Sequence, residues 1–224
     1  MTFKLAAVTV GQSPRDDILI EIQGRMRGDL EITQFGVLDG MSEVELAEMA
    51  AVGSEPRLVT RLKDGREVIT SKARTGERLN VILNDLTKKS FDEVVLLCTG
   101  YFENVHCDRP FTESQRLVDG YVAAMAHGGR KIGVMVPVAE QMQEAKHHKD
   151  YECAKSTYAS PYSGDRMREA GRELADMDMI VMHCMGYTSE MRRVVSQSSG
   201  CPVVLSRDVV AAGLDQLTLP MPDI

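Results

Sequence analysis

No tryptophan occurs in the 224 residues, and tyrosine and phenylalanine number only six and five. A core built on stacked rings is therefore excluded, and burial must rest on aliphatic side chains. Fourteen methionines supplement them as flexible gap-fillers, a better account than a metal or peptide groove. A concentrated basic segment is also missing. Lys and Arg are interspersed with Asp and Glu at a net charge of −7, which excludes the electrostatic footprint of a nucleic-acid binder and argues against an anionic membrane surface. No apolar stretch approaches the length that spans a bilayer. The opening run Phe3–Val8 is too short for a signal h-region, so the expected location is the cytoplasm. Cys98, Cys107, Cys153, Cys184 and Cys201 are odd in number and lack CxxC spacing, a pattern of reduced thiols rather than of a disulfide frame. Only His106-Cys107 and His183-Cys184 bring metal-ligating types together. Neighbours on a strand point to opposite faces, so neither pair chelates, and no metal is expected.

What is present is an alternation of short β-branched runs with segments of helical period. Leu5–Val10, Leu30–Val37, Glu93–Leu97, Lys131–Val136, Tyr151–Ala154, Met179–Met182 and Pro202–Leu205 predict strands. Arg15–Met26, Ser42–Ala50, Ser71–Lys89, Thr112–Ala126, Val138–Lys149, Ser163–Ala175, Thr188–Gln197 and a segment capped by Ser206 predict helices. Ser13 before Pro14 is a helix start, and Ser42 with Glu45 spells a capping box. Leu58–Leu62 and Glu67–Thr70 flank Asp64-Gly65, whose positive φ angles suit a tight hairpin turn. Strands alternating with helices imply parallel sheets covered on both faces. The order strand–helix–strand–helix–strand occurs once before residue 127 and once after it. The expected organisation is α/β in two pseudo-symmetric lobes, 1–127 and 128–217, with the hairpin 58–70 extra to the first and a loosely held tail at 218–224.

Parallel sheets place ligands beyond the carboxyl ends of their strands. Gly11-Gln12-Ser13-Pro14-Arg15, Cys98-Thr99-Gly100-Tyr101 and Cys184-Met185-Gly186-Tyr187 occupy such ends, and the last two share the pattern Cys, one residue, Gly, Tyr. Cys98 and Cys184 close corresponding strands of the two halves, which sets two thiols across one cleft. The glycines are expected to turn the backbone tightly and aim N–H groups into that cleft, with the Thr99 and Thr188 hydroxyls beside them to hold a carboxylate or enolate. A helix start near Thr188 is expected to lower the neighbouring thiol pKa. Against this stands the ordinary role of cysteine as a small buried hydrophobe, which is the reading for Cys107, Cys153 and Cys201. His147-His148 lie in a charged stretch and are read as surface residues.

Three segments carry a resemblance. Val8-Thr9-Val10-Gly11-Gln12-Ser13-Pro14-Arg15-Asp16, Gly133-Val134-Met135-Val136-Pro137-Val138-Ala139-Glu140-Gln141 and Cys184-Met185-Gly186-Tyr187 resemble the AroM family. That family is similar in turn to the aspartate/glutamate racemase superfamily, with its hydantoin racemases, maleate isomerases and arylmalonate decarboxylases. The resemblance implies two α/β lobes that each place one cysteine beside the substrate, with no cofactor; Cys98 and Cys184 match those two positions. It also implies that Gln12, Ser13 and Arg15 meet the substrate, Arg15 through a forked pair with a carboxylate. Thr99, Gly100, Pro137, Val138, Met185, Gly186 and Tyr187, with Ser206-Arg207 at a further strand end, complete the expected lining. Superfamily racemases follow their cysteines with Asn-Thr and Thr-His, where this chain has Thr99-Gly100 and Met185-Gly186; His183 stands in as an orienting group.

The expected function is a cofactor-independent racemase or epimerase that uses two cysteines as acid and base on a small carboxylate or hydantoin-like carbon acid. The same pocket also suits a decarboxylase or a cis–trans isomerase, and the fold suits a non-catalytic metabolite-binding or regulatory protein. The expected partner is a small molecule, with a homo-oligomer left open.

Overall fold

A computed structural model describes residues 2–145, 150–163 and 165–218. In chain order the first half holds β1 (Phe3–Thr9), α1 (Asp16–Gln23), β2 (Leu30–Gly36), α2 (Glu43–Glu48), β3 (Arg57–Arg61), β4 (Glu67–Ser71), α3 (Lys72–Leu86), β5 (Glu93–Leu96), β6 (Phe111–Glu113) and α4 (Ser114–Met125). The second half holds β7 (Ile132–Val136), a 3-10 turn (Ala139–Gln141), α5 (Met142–Ala145), β8 (Cys153–Tyr158), α6 (Met167–Glu173), β9 (Met179–Met182), α7 (Ser189–Ser199), β10 (Val203–Leu205) and α8 (Ser206–Thr218).

The strands form two four-stranded parallel sheets, ordered β2-β1-β5-β6 and β8-β7-β9-β10, plus the antiparallel pair β3-β4. The two orders superimpose strand for strand, with β1 matching β7 and β5 matching β9. The protein thus has two pseudo-symmetric parallel-sheet α/β lobes, and β1 and β5 share one sheet as the apolar pattern predicts. Strands β5, β7 and β9 are buried throughout, because helices cover both faces. Alternation along each strand distributes the side chains between layers. Leu97, Val134 and Val181 enter a central core shared by both lobes, whereas Leu96 and Cys98 face the outer core of the first lobe and Met182 that of the second. Helices α4 and α8 pack together, with Leu117 against Gly213.

Several local expectations are corrected. Helix α1 starts at Asp16, not after Ser13, because the Ser13 hydroxyl and N–H both donate to Asp39. Thr112 belongs to β6, a three-residue strand stabilised by pairing with β5 rather than by its own sequence pattern. β8 runs on to Tyr158, well past Ala154, because its partner β7 is buried along its whole length. The helix expected over 138–149 is a 3-10 turn followed by α5; His147-His148 lie outside the described residues, as does the tail after Thr218. The Ser42–Glu45 capping box forms as expected. No helix among the described residues is long and apolar enough to cross a membrane.

Candidate active site

Each Cys-x-Gly segment folds as a small thiol-centred turn. Cys98 N–H donates back to the Leu96 carbonyl at 2.9 Å, and Cys184 N–H to that of Met182 at 3.1 Å. These three-residue turns end the strands. The glycine N–H then donates to the sulfur, Gly100 to Cys98 Sγ at 3.2 Å and Gly186 to Cys184 Sγ at 3.3 Å. The N–H groups expected to point into the cleft are therefore spent on the thiols themselves. Neither glycine has a positive φ; space is what demands them. A Cβ on Gly100 would lie 2.7 Å from Leu58 Cδ2, and one on Gly186 would lie 2.8 Å from Pro161 Cγ and 3.0 Å from Tyr162 Oη.

Both turns open on one cavity of about 470 Å³, whose wall includes Cys98, Cys184, Arg15, Thr99, Gly100, Tyr101, Pro137, Met185 and Gly186. Leu58, Val59 and Thr60 of β3 supply another wall. The hairpin reaches it by docking across the lobes. Arg57 pairs with Glu140 at 3.3 Å, its carbonyl accepts from Gln141 Nε2 at 3.0 Å, and Ser160 Oγ donates to Glu67 at 2.6 Å. Both cysteines are free thiols.

The two sulfurs differ electrically. Burial pushes the Cys98 thiol up to about 12, with the Gly100 N–H and Lys72 pulling the other way and Cys184 adding to the rise. Burial also raises Cys184, but there the Gly186 N–H is joined by two guanidinium groups, Arg15 and Arg207, that favour the thiolate. The lowering expected from the start of α7 is thus overridden by desolvation. Thr188 is occupied in capping α7, accepting from Met191 N–H at 3.2 Å. Arg207 and Ser206 brace the Cys184 loop from behind: Arg207 Nη2 donates to the Met185 carbonyl at 2.7 Å and Ser206 Oγ to that of Met182 at 2.8 Å.

Arg15 does form a fork, but with the chain's own Asp17: Nε and Nη2 each lie 2.8 Å from a carboxylate oxygen. Burial opposes charge on Asp17, yet this fork and the neighbouring Arg207 and Arg61 hold its carboxyl below the usual range. Arg15 Nη2 also donates to Tyr162 Oη at 3.3 Å. Burial, with Cys184 nearby, pushes the Tyr162 phenol up to about 12, so it carries its proton at neutral pH.

Six expected lining residues are absent from the cavity wall: Ser206 and Arg207, which stand behind the Cys184 loop, and Gln12, Ser13, Val138 and Tyr187. Gln12 is buried elsewhere, its Nε2 donating to the Leu38 carbonyl and its Oε1 accepting from Lys63 N–H, which ties the β1 end to the hairpin. Ser13 is held by Asp39. Val138 stands in extended backbone before the 3-10 turn, and Gln141, Glu144 and Ala145 take the wall there. Tyr187 is fully buried in the outer core of the second lobe and donates to the Ala159 carbonyl at 2.8 Å. Alternation sends His183 to the opposite side of its strand end from Cys184. Its Nε2 lies 3.2 Å from Asp119 Oδ1 and 3.4 Å from Gln115 Nε2, and Gln115 also bonds Asp119.

Tyr162, Thr60, Gln115 and Asp119 are wall residues that sequence reasoning misses. Tyr162 follows β8, and the strand-end rule finds it once β8 is known to reach Tyr158. Gln115 and Asp119 are an i, i+4 polar pair on the face of α4 that also carries Val118 and Val122, a signal of a buried polar site. Among the described residues no group of three or more His, Cys, Asp or Glu is placed to hold a metal ion.

A family model described as AroM protein matches residues 5–218. No curated protein matches. Among solved structures, the chain is similar to allantoin racemase from Pseudomonas fluorescens, at 16% identity over 99% of this chain and 94% of that one, with a TM-score of 0.55. It is similar to glutamate racemase from Thermus thermophilus, at 13% identity over 99% and 84%, TM-score 0.59. Arylmalonate decarboxylase is also similar, at 13% identity over 97% and 92%, TM-score 0.55. Identities this low speak to the fold alone.

Proposed function

This chain belongs to the AroM family, and we propose that it is a cofactor-independent racemase or epimerase acting on a small carboxylate carbon acid. One observation carries the reading: two equivalent strand ends, β5 and β9, each present a thiol cradled by a glycine N–H to the same cavity. Acid–base groups on two sides of one site are what proton removal from one face and return to the other require. Paired groups whose surroundings push their pKa values apart also indicate which is acid and which is base. Cys184, beside Arg15 and Arg207, is the base; Cys98 is the acid.

In the forward step the Cys184 thiolate takes the α-proton, and the electron pair of the C–H bond moves into an enolate. Cys98 then gives its thiol proton to the other face of that carbon, leaving Cys98 as thiolate and Cys184 as thiol. Arg15 has Nε and Nη2 engaged by Asp17, so Nη1 is its nitrogen for the substrate carboxylate. Tyr162 accepts from Arg15 and so directs its own O–H away from that donor, toward a developing enolate oxygen. One side of the cavity carries the buried polar side chains Gln115, Asp119 and His183, which suits polar substituents.

The test is a panel of amino acids, hydantoins and substituted malonates incubated with the protein in deuterium oxide and followed by NMR. Racemisation with α-deuterium incorporation is expected for at least one member. Tight binding of a member with no exchange in any of them would instead make this a metabolite-binding protein.

The inequality of the thiols favours a second reading, decarboxylation in the same pocket. There loss of CO₂ creates the enolate, and only the proton donor Cys98 is required. The malonates in the panel separate the two.

A further inference from the structure

Arg207, the second residue of α8, is only 1% exposed and lies outside the cavity wall. A cation buried away from the substrate cavity calls for a physical reason. Its Nε and Nη2 donate to one acceptor, the Met185 carbonyl, at 3.1 and 2.7 Å, and its Nη1 donates to the Asp17 carbonyl at 2.9 Å. Among the described residues its ion pair is with Glu21 of α1, Oε1 lying 3.2 Å from Nη1. The other oxygen of Glu21 accepts from the Ser189 N–H at 3.2 Å and from its hydroxyl at 2.9 Å. Burial works against the Arg207 charge, while Glu21, Asp17 and the Cys184 sulfur favour it.

The Met185 carbonyl and the Gly186 N–H are the two poles of one planar peptide unit. Arg207 grips the oxygen pole, and Cys184 Sγ takes the hydrogen pole at 3.3 Å. A cation on a carbonyl polarises its peptide and strengthens the bond that the N–H gives. The matching peptide of the first lobe, Thr99–Gly100, gives its N–H to Cys98 Sγ at 3.2 Å. There, among the described residues, no side chain donates to the Thr99 carbonyl. The sheet orders set β6 in correspondence with β10, so Ser114-Gln115 match Ser206-Arg207. Where the second lobe carries a cation, the first carries a neutral amide turned to Asp119.

We infer that Arg207 is a positioning residue for Cys184: it aims and polarises the Met185–Gly186 peptide against the sulfur, and Glu21 sets how much of its charge is felt there. This rests on Cys184 being the base of the proposed reaction. The other groups facing Cys184 are Arg15 after β1, Glu67 of β4, Tyr162 after β8, Tyr187 beyond its own turn, and Cys98 across the cavity. Glu67 opposes the thiolate and Arg15 favours it. Neither bonds to the peptide that holds the sulfur.

Iodoacetamide labelling of the intact protein, read thiol by thiol by mass spectrometry from pH 6 to 9, tests this without requiring turnover. Cys98 is the internal standard. Glu21→Gln keeps an acceptor for Ser189 and removes the negative charge beside Arg207. It should label Cys184 about threefold faster at pH 7 with little change at Cys98. Arg207→Met should slow Cys184 labelling by about tenfold or more, and Arg207→Lys, which keeps the charge, should recover much of that loss. A brace that served only the fold would be loosened by either change, moving Cys184 in the same direction in both variants. Opposite shifts confined to Cys184 support the assignment. Shifts of one sign, an unchanged Cys184, or a Cys184 that resists the label in every variant overturn it. Should Arg207→Met fail to fold, the Glu21→Gln acceleration decides alone. Opposite shifts with no α-proton exchange in the panel retain the Arg207–Glu21 pair and remove the racemase reading. Exchange with an indifferent Cys184 does the reverse.

Discussion

Arg15, from the first lobe, places its Nη2 3.3 Å from the phenol oxygen of Tyr162, from the second. Two guanidinium groups lie near the ring, with Arg15 Cζ 5.9 Å and Arg61 Cζ 5.8 Å from its centroid. A hydrogen bond accepted from a cation polarises the phenol, and the same residue nearly touches Gly186 beside the Cys184 thiol. Tyr162→Phe keeps the ring and its cation contacts but removes the donor. Its kcat/KM should fall by about 10²–10³-fold, the usual loss for one oxyanion donor, with little change in thermal unfolding. A loss below threefold would remove Tyr162 from the chemistry.

The thiols should fail unequally. Cys98→Ala and Cys184→Ala should each abolish racemisation, by about 10²–10⁴-fold per acid–base group. Cys98→Ala keeps the more readily ionised sulfur and should still exchange the α-proton on one face. Cys184→Ala leaves only the thiol pushed up to about 12 and should exchange far more slowly. Stereospecific deuterium incorporation by NMR reads both. Equal residual exchange in the two variants, or exchange in the double variant, would mean a different base.

Activity should climb with pH. The base form of Cys184 is its thiolate, and burial raises its pKa above the ordinary thiol range despite Gly186, Arg15 and Arg207. Below that pKa the thiolate fraction rises tenfold per pH unit, so kcat/KM should increase by about a hundredfold between pH 6 and 8. The descending limb belongs to Cys98, far to the alkaline side. A plateau already reached at pH 7 would point to another proton acceptor.

Glu93 tests the cost of burial away from the site. Desolvation raises its carboxyl pKa, although it accepts from Thr112 Oγ1 at 2.8 Å. A carboxyl with a raised folded-state pKa binds more protons folded than unfolded. Stability therefore falls as pH rises through the carboxylate range, and the full cost remains above the raised pKa. Glu93→Gln keeps an acceptor for Thr112 and removes the charge. It should stabilise the protein at pH 7, read as a rise in Tm by thermal unfolding. The gain should vanish on acidification, as Glu93 takes up its proton.

Much of the architecture is legible in the chain itself. Apolar runs such as Glu93–Leu97 and Met179–Met182 announce buried strands, Asp64-Gly65 announces the hairpin turn, and Ser42 with Glu45 announces a capped helix. Period and capping are local properties, written within a few residues of where they act. The matching Cys-x-Gly-Tyr segments were legible for the same reason, since each follows directly on its own strand.

Contacts between distant segments were not. β6 is a strand because β5 lies beside it, and β8 reaches Tyr158 because β7 does. The error at β8 hid Tyr162. Gln12, Ser13 and Tyr187 stand in the right motifs but turn away, because Lys63, Asp39 and Ala159 offer them partners that no local pattern reveals. The sequence alone determined two parallel α/β lobes with a cysteine at the end of corresponding strands. Docking of the lobes and the hairpin alone decided that the thiols are unequal and that Arg15 meets Tyr162. Burial and charge proximity depend on three-dimensional neighbours, and those are set by packing rather than by spacing along the chain.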